Sequence, residues 1–230
     1  MTQLELQKIK RQPIKFDAET HRYIWEPTGE IFVHSVTGIT GFDMDEKKKK
    51  AIEKTKHIWA PRGSAVHAVF EYCLNLKIKA RDPDFIEEAL DENSELSKNW
   101  EKYSKWTLPL TTHRYFYEDF EPIETEFTVC DRKNSIAGTF DAFGFDKRTK
   151  KYVLLDLKTQ QSEKANPYNT NEQLGAYLSM LMSLGVQVDE CRTVWCRPNK
   201  TVIGEFQHPT DCLSDWNYKL DIWKMYQEEF

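Results

Sequence analysis

The central part of the chain contains two segments rich in β-branched and aromatic residues, residues 136–145 and 152–159, separated by the charged stretch 146–151. This pattern is typical of an antiparallel hairpin. Asp141 and Asp156 lie at equal distances from the centre of the charged stretch, so they face each other if the pairing carries no bulge. The fold must therefore accommodate two carboxylates side by side on neighbouring strands.

These two carboxylates need a compensating positive charge. Directly opposed residues have Cβ atoms roughly 4.5–5.5 Å apart, a separation at which like charges destabilise a sheet. A divalent cation would neutralise them, and Lys158 points to the same side as Asp156, whereas Leu155 and Leu157 turn towards a core. This cluster suits metal-assisted hydrolysis. In the alternative interpretation, Asp141 and Asp156 are solvated strand residues and Lys158 is their surface salt-bridge partner.

A second motif, RGSAVHAVFE at residues 62–71, opens an amphipathic segment that runs to about residue 79. Pro61 and Gly63 indicate a helix start. On that helix Gly63, His67 and Glu71 share one face, where glycine allows another backbone or a ligand to approach. Taken alone, a histidine beside an apolar stripe is more often structural than a metal ligand.

A third motif, QLGAY, lies within the apolar segment 171–184. Helical spacing places Gln173 and Tyr177 side by side. Without the preceding motifs, we would interpret them as a surface glutamine and a buried tyrosine.

The order of these motifs resembles that of the RecB-like branch of the PD-(D/E)XK nuclease superfamily. The corresponding elements are GxxxH (Gly63 to His67), GxxD (Gly138 to Asp141), DxK (Asp156 to Lys158) and QxxxY (Gln173 to Tyr177). The resemblance covers roughly residues 32–184. Residues 15–27 and 30–40 are also similar to the entry hairpin of phage and mitochondrial genome maintenance exonucleases of this branch.

The resemblance implies a role for each matched residue. His67, Asp141 and Asp156 would coordinate one or two Mg²⁺ or Mn²⁺ ions, assisted by the backbone carbonyl of Leu157. Lys158 would position the attacking water or stabilise the charge on the phosphate. The sequence leaves open whether this lysine is a base or an electrostatic clamp.

Three further positions refine the comparison. Gln173 and Tyr177 would shape the site and contact the nucleic-acid backbone. Glu126 lies in a predicted strand just before the hairpin, where it either supports the site, through a second metal ion or the first ligands, or is a strand-surface glutamate. The proline-aspartate pair of the superfamily is absent, since Phe140 precedes Asp141, but the RecB-like branch commonly uses GxxD instead.

The order of helices and strands predicts an α/β fold with a restriction-endonuclease-like core, in which helices flank a mixed central β-sheet. The predicted strands are an N-terminal hairpin at 14–36 and strands at 113–130, 136–145, 152–159, 191–197 and 201–207. The predicted helices are 46–59, 63–79, 95–108, one from 171 and one from about 210. In the last helix, Trp216, Leu220, Trp223 and Tyr226 to Gln227 form a predicted packing face.

We interpret residues 1–230 as a single nuclease domain, since no linker rich in Gly, Pro or Ser divides the chain. Its parts are an N-terminal hairpin extension (1–45), a helical region with the GxxxH motif (46–112), and the catalytic sheet with its flanking helices (113–230). The sequence does not indicate the oligomeric state.

The formal net charge is −5, which says little about a local groove. The lysine run at residues 47–50 either tracks a nucleic-acid backbone or is a solvated helix face. Trp59, Tyr103 and Trp106 could stack on bases, although such residues usually fill a core.

Five cysteines, an odd number, without a signal peptide indicate reduced thiols in a cytoplasm, the host cytoplasm if the protein is phage-encoded. Their dispersed spacing argues against the iron-sulfur cluster of some relatives. No apolar run approaches ~18 residues, so no membrane association is expected.

We therefore predict a divalent-metal-dependent DNA nuclease, specifically an exonuclease acting on DNA ends or single strands in replication, recombination or repair. The alternatives are a structure-selective endonuclease, a nucleic-acid-binding accessory protein that has lost cleavage, and an interaction domain that binds no nucleic acid.

Overall fold

The computed structural model describes residues 6–228; the remaining residues of the predicted unit 1–230 lie outside the described part. Its strands are β1 (Ile14–Asp17), β2 (Arg22–Trp25), β3 (Glu30–Phe32), β4 (His34–Ser35), β5 (Phe120–Asp131), β6 (Ile136–Asp146), β7 (Lys151–Thr159), β8 (Glu190–Arg197) and β9 (Lys200–Ile203). Its helices are α1 (Val36–Thr40), α2 (Glu46–Lys54), α3 (Lys56–Lys79), α4 (Glu95–Lys102), α5 (Ser104–Thr111), α6 (Asn171–Ser183) and α7 (Pro209–Glu228).

A six-stranded mixed sheet forms the centre of the molecule. The strands β6-β7-β8-β9 are neighbours in that order, and β4 and β5 both pair with β6. The β5–β6, β6–β7 and β8–β9 pairs are antiparallel, as expected of short connections, whereas β7 and β8 are parallel because α6 crosses between them. The predicted α/β fold with a mixed sheet flanked by helices is confirmed.

The predicted hairpin register is confirmed along the β6–β7 ladder. The pairs run from Asp146↔Lys151 to Ala142↔Leu155 without a bulge. The next pair in this register would be Asp141 with Asp156, but the ladder ends just before it. At the N-terminal end of β6, Ile136 and Ala137 pair with β4. Strands β4 and β7 therefore share one edge of β6, and β5 occupies the opposite edge. The sheet therefore opens at the two aspartates.

Each face of the sheet carries its own core. Phe140, Phe143 and Leu154 pack with the apolar residues of α6 and α7 on one face. On the other face, Leu155 and Leu157 pack with α3 residues. Alternation along β7 thus fixes which side chains enter each core, as the sequence predicts for the two leucines.

The N-terminal segment forms a three-stranded antiparallel sheet, β1-β2-β3, so the predicted hairpin gains one strand. It packs on the central sheet through a small cluster of Phe32, Cys130 and Ala137. All five cysteines of the chain are free thiols. Among residues 6–228, no helix combines the length and the apolar character needed to cross a lipid bilayer.

Several predicted helix boundaries are wrong. The helix carrying His67 begins at Lys56 and runs through Pro61, which was expected to mark its start. Pro61 removes only the backbone hydrogen bond to the carbonyl of exposed His57, so the helix tolerates it. The predicted helix 46–59 instead ends at Lys54, and the predicted helix 95–108 divides into α4 and α5.

The predicted strand 113–130 is wrong in its first part, where Tyr115–Asp119 forms a π-helical turn. A strand would point Tyr115 and Phe116 to opposite faces, whereas the turn buries both rings in one core. The gain in apolar burial therefore favours the turn over a longer strand.

Helix α7 packs closely against α6 through the predicted face. Trp216, Leu220 and Trp223 are buried, whereas Tyr226 is partly exposed and its ring packs 5.7 Å from that of Phe42. The two helices approach at Gly175, where a Cβ atom would collide with the backbone carbonyl of Cys212 and lie 2.8 Å from the Cβ of Trp216.

This contact predicts opposite effects for the same substitution at two helical glycines. We expect Gly175→Ala to lower the free energy of unfolding by about 2–3 kcal/mol, because α7 must move away. Gly63→Ala should raise it by about 0.5–1 kcal/mol, because its Cβ would meet Thr159 Oγ1 at an ordinary 3.8 Å. Urea denaturation of both variants measures the difference, and equal effects would contradict the described α6–α7 packing.

Candidate active site

The opening of the sheet is held by the two aspartates themselves. The side chain of Asp141 accepts a hydrogen bond from the backbone N–H of Leu157, a group that would otherwise face the partner strand. Asp156 accepts a 3.0 Å bond at Oδ1 from the ammonium of Lys158. Its Oδ2 is buried and has no hydrogen-bond partner among residues 6–228. One acceptor of this pair is thus left without a donor.

A third carboxylate joins from the neighbouring strand. Glu126 lies opposite Asp141 in the β5–β6 register, between the pairs Thr125↔Ala142 and Phe127↔Phe140. Its backbone is in the left-handed region, with φ of 41°. This kink turns the adjacent Thr125 and Glu126 towards the same helix, α3, rather than to opposite faces. The strained backbone thus presents Glu126 to His67.

His67 reaches these acids from α3. Its Nδ1 lies 3.1 Å from Asp141 Oδ1 and 3.3 Å from Glu126 Oε1. One ligand atom from each of His67, Glu126 and Asp141 lies within 4.8 Å of the others, so this group could hold a metal ion. Asp156 does not belong to that tight group, but it adjoins it through the Asp141 strand.

Lys158 is fixed between a strand and a helix. Besides Asp156, its ammonium donates a 2.7 Å bond to Gln173 Oε1. The amide nitrogen of Gln173 in turn donates to the hydroxyl of Tyr177 at 3.3 Å. The ring of Tyr177 lies over Gly138, where a Cβ atom would be 2.8 Å from it. The glycine of GxxD therefore makes room for the tyrosine of QxxxY.

The two aspartates differ in proton affinity. Burial raises the pKa of Asp156 from its ordinary 3.8 to about 6, and repulsion from Asp141 adds to this against the attraction of Lys158. Burial acts in the same direction on Asp141, but His67 and Lys158 outweigh it and hold the pKa of Asp141 below its usual value. Asp156, whose Oδ2 has no hydrogen-bond partner among the described residues, is therefore the harder of the two aspartates to ionise.

The basic groups retain their protons. Burial lowers the pKa of His67, but the carboxylates of Asp141 and Glu126 raise it well above its ordinary value. Burial likewise opposes the charge on Lys158, and Asp156 and Asp141 raise its pKa above the usual value. Both shifts favour the protonated forms of His67 and Lys158 beside the acidic cluster.

A cavity of about 500 Å³ opens beside His67 and Glu126. Glu71 lines it with them, but does not belong to the group of three possible ligands. Trp59 forms another part of the wall, and its indole N–H donates to the carbonyl of Ile52 in α2 at 3.0 Å. Helix α2 has no buried residue, so its lysine run lies at the surface.

Comparison with known proteins identifies the family. The profile described as PD-(D/E)XK nuclease superfamily matches residues 43–220, most of the chain. The chain belongs to the PD-(D/E)XK nuclease superfamily. Membership confirms the predicted superfamily and its restriction-endonuclease-like core, and it supports nuclease activity on a nucleic-acid substrate. No functionally curated protein matches the sequence.

Two solved structures are similar to the chain at low sequence identity. The chain is similar to a "putative exonuclease" from Eubacterium rectale, with 15% identity, a TM-score of 0.48, and coverage of 86% of this chain and 79% of the other. It is also similar to the protein SSO0001, with 18% identity, a TM-score of 0.36, and coverage of 68% and 85%.

The residues of the four motifs come together in space, as the sequence predicts. The sequence alone left the role of Glu126 open between a site residue and a strand-surface glutamate. Its neighbours in β5 read as an ordinary strand, and glutamate does not favour a positive φ. Only the three-dimensional contact with His67 distinguishes it from a surface residue.

The raised pKa of Asp156 predicts a pH-dependent gain in stability for Asp156→Asn in metal-free buffer containing EDTA. The folded carboxyl binds its proton more tightly than the unfolded one, so wild-type stability falls as the pH rises from 3.8 to about 6. Above that window the variant should be more stable by up to about 3 kcal/mol, the equivalent of that pKa change. Denaturation at several pH values checks this, and a pH-independent difference would contradict it.

Proposed function

We propose that the protein is a divalent-metal-dependent deoxyribonuclease of the RecB-like branch, an exonuclease that acts on DNA ends or single strands in replication, recombination or repair. The observation that carries this proposal is the buried acidic cluster beside His67 and Lys158, in a chain of the PD-(D/E)XK superfamily. The order of the four motifs supports the RecB-like assignment. Free thiols agree with an activity in the cytoplasm.

The donor set fits Mg²⁺ or Mn²⁺. Asp141, Asp156 and His67 would hold the ion together with the Leu157 carbonyl, and Glu126 is a further carboxylate within reach of the group. The unpartnered, buried Oδ2 of Asp156 supports this, because an acceptor in that position gains from a cation. When bound, the ion would polarise the phosphate and activate water.

We assign Lys158 the role of an electrostatic clamp. Asp156 and Asp141 raise the pKa of the Lys158 ammonium above its usual value, which favours a fixed positive charge that stabilises the phosphate. Asp156 and Gln173 hold it from two sides. We therefore assign Gln173 and Tyr177 to positioning this lysine. Tyr177 is buried, which argues for this role over direct contact with the DNA backbone.

DNA access is consistent with the surface around the site. The cavity beside His67 opens next to the exposed Trp59 and the lysine-rich α2. The lysines of α2 would attract the phosphate backbone of DNA, while the metal site would bind the scissile phosphate. This local arrangement reconciles a net charge of −5 with a nucleic-acid substrate.

The proposal predicts metal-dependent degradation of end-labelled linear DNA. Wild type should degrade it with Mg²⁺ or Mn²⁺ and not with EDTA. Lys158→Ala should lower kcat by at least about 100-fold, because a preorganised charge at the phosphate is lost. Cleavage is followed on denaturing gels.

The control is Lys133→Ala, which removes an exposed lysine in the turn between β5 and β6, a position with no proposed role, and should leave kcat near the wild-type value. Equal behaviour of wild type and Lys158→Ala, with or without metal, would overturn the nuclease assignment. Closed circular single-stranded DNA should resist degradation, and its cleavage would instead select an endonuclease.

A further inference from the structure

Two buried arginines lie near the end of β7 without any acidic partner. Arg62 is 4% exposed and Arg197 is 8% exposed. Neither forms a salt bridge with any residue between 6 and 228; instead, each donates to the amide oxygen of a glutamine. Arg62 Nη1 donates to Gln161, and Arg197 Nε donates to Gln160 at 2.7 Å. Two guanidinium charges are thus paired only with neutral acceptors.

These arginines also have unused donors. Arg62 Nε and Arg197 Nη2 are buried and have no hydrogen-bond partner among the described residues. Burying a charge without an opposite charge is costly, and each unsatisfied donor adds to that cost. These two buried, unpaired guanidinium groups do not stabilise the folded protein. A bound anion would offset their cost, because it supplies both the opposite charge and the missing hydrogen-bond acceptors.

The place of Arg62 on α3 supports this reasoning. The buried stripe of α3 continues from Arg62 through apolar residues such as Val66, Val69 and Phe70. An apolar side chain at position 62 would extend that stripe without any charge to compensate. The guanidinium lies 5.1 Å from the centre of the Trp106 ring, whose indole N–H is fixed by a 2.9 Å bond to the Gln160 carbonyl.

Arg62 adjoins the proposed catalytic centre. The next residue, Gly63, faces Thr159, which directly follows Lys158. His67 lies further along the same helix, at about 7.5 Å of helix axis from Arg62 at a rise of about 1.5 Å per residue.

We propose that Arg62 is a phosphate-binding residue that anchors the substrate strand beside the proposed catalytic centre. Gln161 is an exposed residue, and its amide oxygen covers the guanidinium as a neutral substitute for a phosphate oxygen. When the strand binds, a phosphate replaces that amide and pairs with the planar fork of Arg62. Arg197 holds the neighbouring Gln160 in place. The inference rests on the proposed nuclease function and assigns one contact of its substrate.

The first test places a carboxylate over the guanidinium. Gln161→Glu should raise KM for linear DNA by about tenfold, because the new carboxylate competes with the phosphate for Arg62. Its kcat should change little, and its melting temperature should equal or exceed that of wild type. The matched control is Ser162→Glu, the same charge change on the adjacent exposed residue, which should keep KM within about twofold.

The second test removes the guanidinium. Arg62→Met should raise KM by at least as much as Gln161→Glu while retaining the melting temperature, since an apolar side chain suits that stripe. Arg62→Lys should restore part of the affinity. The inference is overturned if Gln161→Glu behaves like Ser162→Glu, or if Arg62→Met changes the melting temperature and not KM.

DNA binding in EDTA, measured by fluorescence anisotropy, separates this inference from the nuclease assignment. Wild type that binds DNA without cleaving it in Mg²⁺ refutes the nuclease, while weaker binding by Gln161→Glu than by Ser162→Glu still supports the anchor. Equal binding by the two variants refutes the anchor. DNA strands that end in a 5′-phosphate or in a 5′-hydroxyl show which phosphate Arg62 binds. If Gln161→Glu binds both kinds of strand more weakly, Arg62 binds an internal phosphate. If it binds only the 5′-phosphorylated strand more weakly, Arg62 binds the terminal phosphate.

Discussion

The structure depends on how two carboxylates are kept charged and close together at the point where strands β6 and β7 separate. Asp141 takes the backbone N–H of Leu157, which ends the ladder between the strands. The opening therefore follows from the acidic pair, and it exposes their oxygens to the helices on either side. Among residues 6–228, Asp156 accepts a hydrogen bond from Lys158 alone and keeps one buried oxygen without a donor. This shortage of positive charge is the basis for the metal site that we propose.

The surrounding elements supply the remaining charges from different parts of the chain. Helix α3 brings His67 to the acidic group on one side, and α6 holds Lys158 through Gln173 on the other. The same α3 carries Arg62 into a buried position close to the end of β7. In our proposals, a single helix thus contributes both a metal ligand and a phosphate anchor. Such a helix would align the substrate with the metal centre without a separate binding domain.

Much of this arrangement follows from local sequence rules. The register that relates Asp141 to Asp156 is set by alternation and by the short charged turn, both of which are visible in the sequence. The position of Glu126 is not, because it depends on a left-handed backbone that glutamate does not favour. The isolation of Arg62 is also invisible in sequence, since a salt bridge or its absence is decided by residues distant in the chain. Helix α3 continues through Pro61 because the only backbone hydrogen bond lost there is the one to the carbonyl of exposed His57.

The central claim is that this acidic group is completed by a divalent cation. A crystal structure of the protein soaked in Mn²⁺, with anomalous data, tests it most directly. We expect an anomalous peak in contact with Asp141 and Asp156 and with the ring of His67, and the loss of that peak in Asp156→Asn. A peak confined to surface carboxylates, or an unbroken Asp141–His67 contact with no ion beside it at saturating Mn²⁺, would refute this metal site.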